Sequence, residues 1–83
     1  MKLMFKLFAS LGEYLPADAK SNSTTIEVSP EESVFDVIAR FNIPPDLIHL
    51  VLLNGVYLHP EERLTPHFKE GDTLAIWPPV AGG

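Results

Sequence analysis

Apolar and polar residues alternate in two segments of the N-terminal third of the chain. Residues 2–8 carry an apolar side chain at every odd position from Leu3 to Leu7, whereas two of the even positions are lysine. A period of two is typical of a β-strand with one buried face, so this segment predicts the first strand. Residues 24–28 alternate in the same way and predict a second strand, after a polar loop over residues 16–23.

The spacing of apolar residues changes to that of a helix after Pro30. Apolar residues recur at intervals of three and four, which predicts one stripe of a helix packed on a sheet. The stripe consists of Val34, Val37, Ile38 and Phe41. Ser33, with Asp36 three residues later, is typical of a capping box at the start of a helix. Asn42 and the Pro44-Pro45 pair predict its end.

The second half of the chain predicts three further strands. Residues 49–53 form a continuous apolar run suited to a buried strand. Asn54-Gly55 predicts a type I′ hairpin turn, after which residues 56–58 return as a short strand. Residues 60–69 carry no regular pattern, and residues 73–77 predict the last strand. The order β-β-α-β-β-β predicts an antiparallel sheet half covered by one helix, an α+β architecture.

Length and composition indicate one small domain. The chain has 83 residues, of which 46% are hydrophobic, and no cysteine, so disulfides and thiolate chemistry are excluded. The net charge of −5, with scattered lysines and arginines, disfavours nucleic acid as a partner. No apolar run approaches the roughly 20 residues of a membrane span, and the N-terminal pattern does not match a signal peptide. We therefore expect a cytoplasmic protein with no membrane partner.

The body of this domain carries no pattern typical of a catalytic or metal site. The serines fall in turns or at caps without a neighbouring histidine, and His49, His59 and His67 are isolated along the chain. Gly55 and Gly71 fall in separate turns, so no phosphate-binding loop is predicted. The body is therefore interpreted as a carrier or a binding module, with no bound metal or cofactor.

The last six residues carry the most distinctive pattern. Gly82-Gly83 has no side chains and accepts backbone angles that other residues avoid, so it suits a narrow channel in another protein. Pro78-Pro79 is stiff and extended, and predicts a tail that leaves the body without folding back. We therefore divide the chain into a domain over residues 1–77 and a flexible tail over residues 78–83. The alternative is that Gly-Gly is only a frayed end.

A docking patch is predicted next to this tail. Trp77 lies on the opposite face of its strand from Leu74 and Ile76, and three further apolar residues are not needed for the predicted core. They are Phe8, Leu58 and Phe68. An exposed apolar patch made of these four is typical of a protein-binding surface. The alternative is that Trp77 or Phe68 closes a small core.

The C-terminal segment resembles that of a known family. Residues 71–83 combine a Gly-Asp turn, a strand ending in an aromatic residue, Pro-Pro, and a Val-Ala-Gly-Gly ending. Supporting matches are Leu7-Phe8-Ala9, Ser33-Val34 and Asn54-Gly55. With these features the chain resembles the ThiS/MoaD sulfur-carrier family, and within it the small subunit of molybdopterin synthase. The resemblance implies a ubiquitin-like β-grasp fold, with a mixed sheet of about five strands and one main helix packed on one face.

The resemblance also implies a function. Gly83 would be adenylated by an activating enzyme resembling ubiquitin E1, and its carboxylate would then become a thiocarboxylate that donates sulfur. The rest of the tail, residues Pro78, Pro79, Val80, Ala81 and Gly82, would occupy the partner's channel. The chain would not be an enzyme itself, and the ATP would be used by the activating partner.

The receiving pathway and the second partner follow from the same resemblance. The second partner would be the large subunit of molybdopterin synthase, or thiazole synthase if the sulfur serves thiamin. The Pro-Pro-Val-Ala-Gly-Gly ending favours molybdopterin. Two different functions stay open beside sulfur transfer: the chain could be a ubiquitin-like protein modifier or a plain interaction module.

Overall fold

The secondary structure follows the predicted order of two strands, one helix and three strands. A computed structural model describes residues 1–66 and 68–79. The strands are β1 Lys2–Leu7, β2 Ser23–Glu27, β3 Leu50–Leu53, β4 Val56–Tyr57 and β5 Asp72–Trp77; the helix is α1 Val34–Arg40; three short 3₁₀ helices are η1 Ala9–Tyr14, η2 Pro45–Leu47 and η3 Pro60–Leu64. No helix within the described residues is long and apolar enough to cross a bilayer.

The five strands form one mixed sheet in the order β2-β1-β5-β3-β4. The expected five-stranded sheet with one main helix is therefore confirmed. The mixed sheet implied by the family resemblance is confirmed as well, whereas the antiparallel sheet predicted from the order of elements alone is wrong. The central strands β1 and β5 run parallel, with Leu3 opposite Asp72 and Leu7 opposite Ile76. Alternation within a strand fixes its buried face, but it does not fix the direction of a partner that is distant in sequence.

The core lies between one face of the sheet and α1. Leu3, Phe5 and Leu7 of β1 are fully buried, as predicted from their alternation, and the Phe5 ring lies 4.8 Å from the Phe41 ring between centroids. The other core side chains of β5 and α1 are Leu74, Ile76, Val34, Val37 and Ile38. Burial of this single apolar layer is the main force that holds the helix on the sheet.

The helix begins at the predicted cap. The Ser33 hydroxyl accepts a hydrogen bond from the Asp36 amide at 3.1 Å, and the Asp36 carboxylate accepts one from the Ser33 amide at 2.9 Å. The reciprocal pair satisfies two of the free N–H groups at the helix start. After Phe41 the chain leaves the helix at Asn42, whose φ of 60° lies in the left-handed region.

We expect the substitution Ser33→Ala to lower the free energy of unfolding by about 1 kcal/mol, because the Asp36 amide loses its acceptor. The measurement is urea unfolding followed by far-UV circular dichroism. Ser10→Ala is the matched control, since Ser10 is exposed in η1. An equal loss in both variants would show that the cap does not stabilise the helix.

Candidate functional site

The last described residues continue directly from the end of the central strand β5. Strand β5 is hydrogen-bonded on both sides to its end: the His49 amide donates to the Trp77 carbonyl at 3.0 Å, and the Phe8 amide donates to the Ile76 carbonyl at 3.1 Å. Pro78 and Pro79 then follow, and neither has an N–H group with which to continue the ladder. The sheet therefore fixes the point from which the chain departs, at Trp77.

The start of β5 is fixed by a buried polar link to the β3–β4 turn. Asp72 is 7% exposed, and its carboxylate accepts from the Asn54 side chain and from the Lys69 amide, both at 2.8 Å. The Asn54 side-chain oxygen accepts from the Thr73 amide at 2.8 Å. The turn itself has positive φ at Asn54 and Gly55, as predicted for type I′. This link sets the register of β5, and hence where its far end lies.

An aromatic stack lies at the end of β5. The rings of Phe8 and Trp77 are parallel within 4°, with centroids 4.3 Å apart. Phe8 follows β1 directly, so the stack joins the ends of the two central strands. Both side chains are partly exposed. The structure therefore brings together two of the four residues predicted for the docking patch.

These two aromatic residues belong to a larger apolar surface on the uncovered face of the sheet. Trp77 lies opposite Leu50, Ala75 lies opposite Leu52, and Leu52 lies opposite Tyr57. Paired residues share a face, so this surface lies opposite the core. We call it the sheet patch; its members are Phe8, Leu50, Leu52, Tyr57 and Trp77, which are partly or largely exposed around the buried Ala75. Leu50, Leu52 and Tyr57 were not predicted as site residues. For Leu50 and Leu52 the signal was the continuous apolar run in β3, which exceeds what one buried face requires.

The prediction that Leu58 and Phe68 are exposed next to the tail is wrong. Each is only 7% exposed and belongs to the core cluster. Leu58 follows the two-residue strand β4 directly, and Phe68 precedes β5. The alternative for Phe68, that it closes the small core, is therefore confirmed. Both residues lie outside the strands and the helix, where alternation and helical spacing give no signal of burial.

Four of the predicted tail residues lie outside the described part of the chain. These are Val80, Ala81, Gly82 and Gly83. Of the two described tail residues, Pro78 is buried and Pro79 is exposed. Across residues 1–66 and 68–79, no group of three or more histidines and acidic residues is arranged to hold a metal ion.

Comparison with known proteins identifies the family of this chain. The sequence model of the ThiS family matches residues 5–83. A search of the curated proteins finds no match.

Solved structures of several small proteins have the same fold. The crystal structure of small archaeal modifier protein 1 from Haloferax volcanii is 25% identical, with a TM-score of 0.66 and full coverage of both chains. The protein of the same name from Methanosarcina acetivorans is 26% identical, with a TM-score of 0.65, covering 99% of this chain and 96% of that one. A complex of subunits 1 and 2 of molybdopterin-converting factor from Helicobacter pylori matches at 19% identity and a TM-score of 0.60, with full coverage of both chains. The archaeal neighbours and a further ubiquitin-like protein confirm the ubiquitin-like β-grasp fold.

Proposed function

This chain belongs to the ThiS family of ubiquitin-like sulfur carriers, and we propose that it carries sulfur as a thiocarboxylate on Gly83. One observation above all supports the proposal: β5 is held on both sides up to Trp77 and is followed by two prolines, so the residues before Gly83 start from a fixed point. The family match also extends through the Gly-Gly pair to residue 83. We place this carrier in the cytoplasm.

The proposed chemistry has two steps, both performed by partner proteins. A Gly83 carboxylate oxygen attacks the α-phosphorus of ATP, pyrophosphate leaves, and an acyl adenylate forms. A sulfur donor such as a protein persulfide then displaces AMP at the acyl carbon, and reductive release from that donor by a thiol yields the thiocarboxylate. The carrier supplies only an unhindered carbonyl in the correct position. Correct positioning of the reacting groups accounts for a large part of the rate enhancement in such reactions. ATP binds to the activating enzyme.

We propose the sheet patch as the surface that docks on both partners, an E1-like activating enzyme and a synthase large subunit. Large aromatic residues that are only partly buried are typical anchors of protein interfaces. Trp77 provides this anchor two residues before the exposed Pro79. Docking through the sheet patch would hold the start of the tail, directly after Trp77, close to the partner surface. The molybdopterin-synthase large subunit is our favoured second partner, and thiazole synthase is the alternative.

Intact-mass spectrometry tests the carrier function. The chain is produced in cells with its activating enzyme and a sulfur source, and in cells that lack the activating enzyme. We expect one oxygen to be replaced by sulfur in the first sample alone, and fragmentation to place the change at Gly83. Only the unmodified mass in both samples would refute the proposal. Rescue of strains lacking either the molybdopterin or the thiamin carrier then assigns the pathway.

We expect Trp77→Ala to weaken binding to the activating enzyme by about 10- to 100-fold, because hot-spot aromatic residues contribute about 2 kcal/mol or more. Isothermal titration calorimetry measures the affinity, and circular dichroism verifies the fold. Val56→Ala is the control, since Val56 is 65% exposed in β4 and lies opposite Leu53 rather than on the sheet patch. Equal affinities of the two variants would exclude the sheet patch as the docking surface.

A second function is supported by the two archaeal neighbours that are named modifier proteins, at 25% and 26% identity. We propose the same adenylate as its starting point: a target lysine amine attacks the acyl carbon, AMP leaves, and an isopeptide bond forms. Blots of a tagged chain would then show a ladder of conjugates that is lost when Gly83 is deleted. A single band under conditions that yield the thiocarboxylate would exclude this role.

A further inference from the structure

An apolar groove lies on the helix side of the domain, between α1, η2 and η3. It has a volume of about 180 Å³, and its lining consists of Arg63 and six apolar residues: Phe35, Ile38, Pro45, Ile48, Pro60 and Leu64. Pockets for drug-sized ligands range from roughly 300 to 1,000 Å³, so this groove suits side chains of a peptide better than a cofactor.

Two of the lining residues expose large apolar surfaces. Phe35 is 50% exposed and Leu64 is 62% exposed, although both sit on elements that pack against each other. Neither side chain belongs to the core cluster or to the sheet patch. An apolar surface of this kind, rimmed by polar groups, is typical of a protein-binding site.

Carboxylates outnumber cations on the elements that form the groove. Six carboxylates lie in or just before the elements that form it, namely Glu31, Glu32, Asp36, Asp46, Glu61 and Glu62. The four lysines lie elsewhere: two on β1, one before β2 and one before β5. Against these six carboxylates the same elements carry two arginines, Arg40 and Arg63, so this side of the domain has an excess of negative charge, which favours a positively charged partner.

The two arginines on this side are already engaged within the domain. Arg63 donates twice to the Leu58 carbonyl, at 3.0 and 2.8 Å, and its guanidinium lies 5.8 Å from the Tyr57 ring centroid. Arg40 donates to the Glu27 carbonyl at 2.8 Å and forms a 3.4 Å ion pair with Glu32. Arg63 therefore lines the groove while its guanidinium is hydrogen-bonded to the backbone.

From the groove and the excess of carboxylates on the elements around it we infer that the helix side binds a short apolar segment of a partner protein, flanked by lysine or arginine. Two or more large apolar side chains of that segment enter the groove, and the basic flanks face the carboxylates. A second copy of this chain is disfavoured as the occupant, because it would bring the same excess of negative charge. The inference does not depend on Gly83, since the groove is formed by residues 35–64.

Selection from random peptides of about a dozen residues, displayed on phage, tests the inference. The intact chain is the bait, and the Phe35→Ser/Leu64→Ser double variant is used for counter-selection. We expect enriched peptides to combine two or more large apolar residues with an excess of Lys and Arg. A synthetic enriched peptide should shift the amide resonances of Phe35, Ile38 and Leu64, and its affinity should fall as salt rises.

Single variants then separate the groove from non-specific contact. Leu64→Ser should weaken the enriched peptide by about tenfold or more, whereas Val56→Ser, at a site of nearly equal exposure (65% against 62%), should stay within about twofold. A chain truncated after Ala81 should bind the peptide as the intact chain does, whatever the outcome for sulfur transfer.

Four outcomes would overturn the inference. They are no enrichment beyond the double variant, enrichment of acidic peptides, resonance shifts centred on Trp77 and Leu50 of the sheet patch, and concentration-dependent dimers that shift the groove resonances. The last would identify a second copy as the occupant.

Discussion

Removing Gly82 and Gly83 is expected to reduce adenylation of the chain by about a thousandfold or more, with the free energy of unfolding unchanged. The truncated chain ends at Ala81, and its carboxylate is about 7 Å short, since an extended residue spans up to about 3.6 Å. Misplacing a reacting group by about 1 Å already costs on the order of a hundredfold in rate. ATP–pyrophosphate exchange with the activating enzyme measures this step before any sulfur transfer.

The stability of the truncated chain should not change, because the described contacts that hold β5 end at Trp77 and Pro78. Gly83→Ala is the matched variant: it keeps the length of the tail and adds one methyl group beside the reacting carboxylate. We expect it to exchange pyrophosphate faster than the truncated chain and more slowly than the unmodified one. Exchange by the truncated chain at the unmodified rate would show that Gly83 is not the group that is activated.

Local patterns in the sequence were sufficient for most of the fold. The alternation in β1, the pair formed by Ser33 and Asp36, and the Asn54-Gly55 turn each involve residues within a few positions of one another. Their physical causes, the pleat of a strand, the free amides of a helix start and the twist of a hairpin, act over the same short distances. Each of these predictions is confirmed.

Features that join distant parts of the chain were not predictable in this way. The parallel pairing of β1 with β5 joins residues 69 positions apart, as in Leu3 with Asp72, and its direction is set by the path of the whole chain. The link between Asn54 and Asp72 joins two turns that the sequence presents as separate signals. Phe68 is buried in the core although it lies in a segment with no regular pattern.

The candidate site likewise contains a part that was predictable from neighbouring residues and a part that was not. Trp77 and the two prolines after it were identified from adjacent residues, and the structure places Trp77 beside Phe8 at the end of the sheet. The remainder of the sheet patch requires the register of β3 against β5, which brings Leu50 opposite Trp77. The groove on the helix side requires three elements to meet, and it leaves no signal in any one of them.

We expect Phe5→Ala to lower the free energy of unfolding by about 3–5 kcal/mol, because Phe5 is fully buried at the centre of β1 and its ring contacts Phe41. A domain of this length has a total stability of about 4–12 kcal/mol, so the variant would lose about a quarter of it or more. Urea unfolding followed by Trp77 fluorescence measures the change. Phe35→Ala removes the same atoms from a site that is 50% exposed, and should cost less than about 1 kcal/mol. Similar losses in the two variants would mean that the core is not centred on β1. In that case β1 would not be the strand that holds β5, and with it Trp77 at the start of the tail, in place.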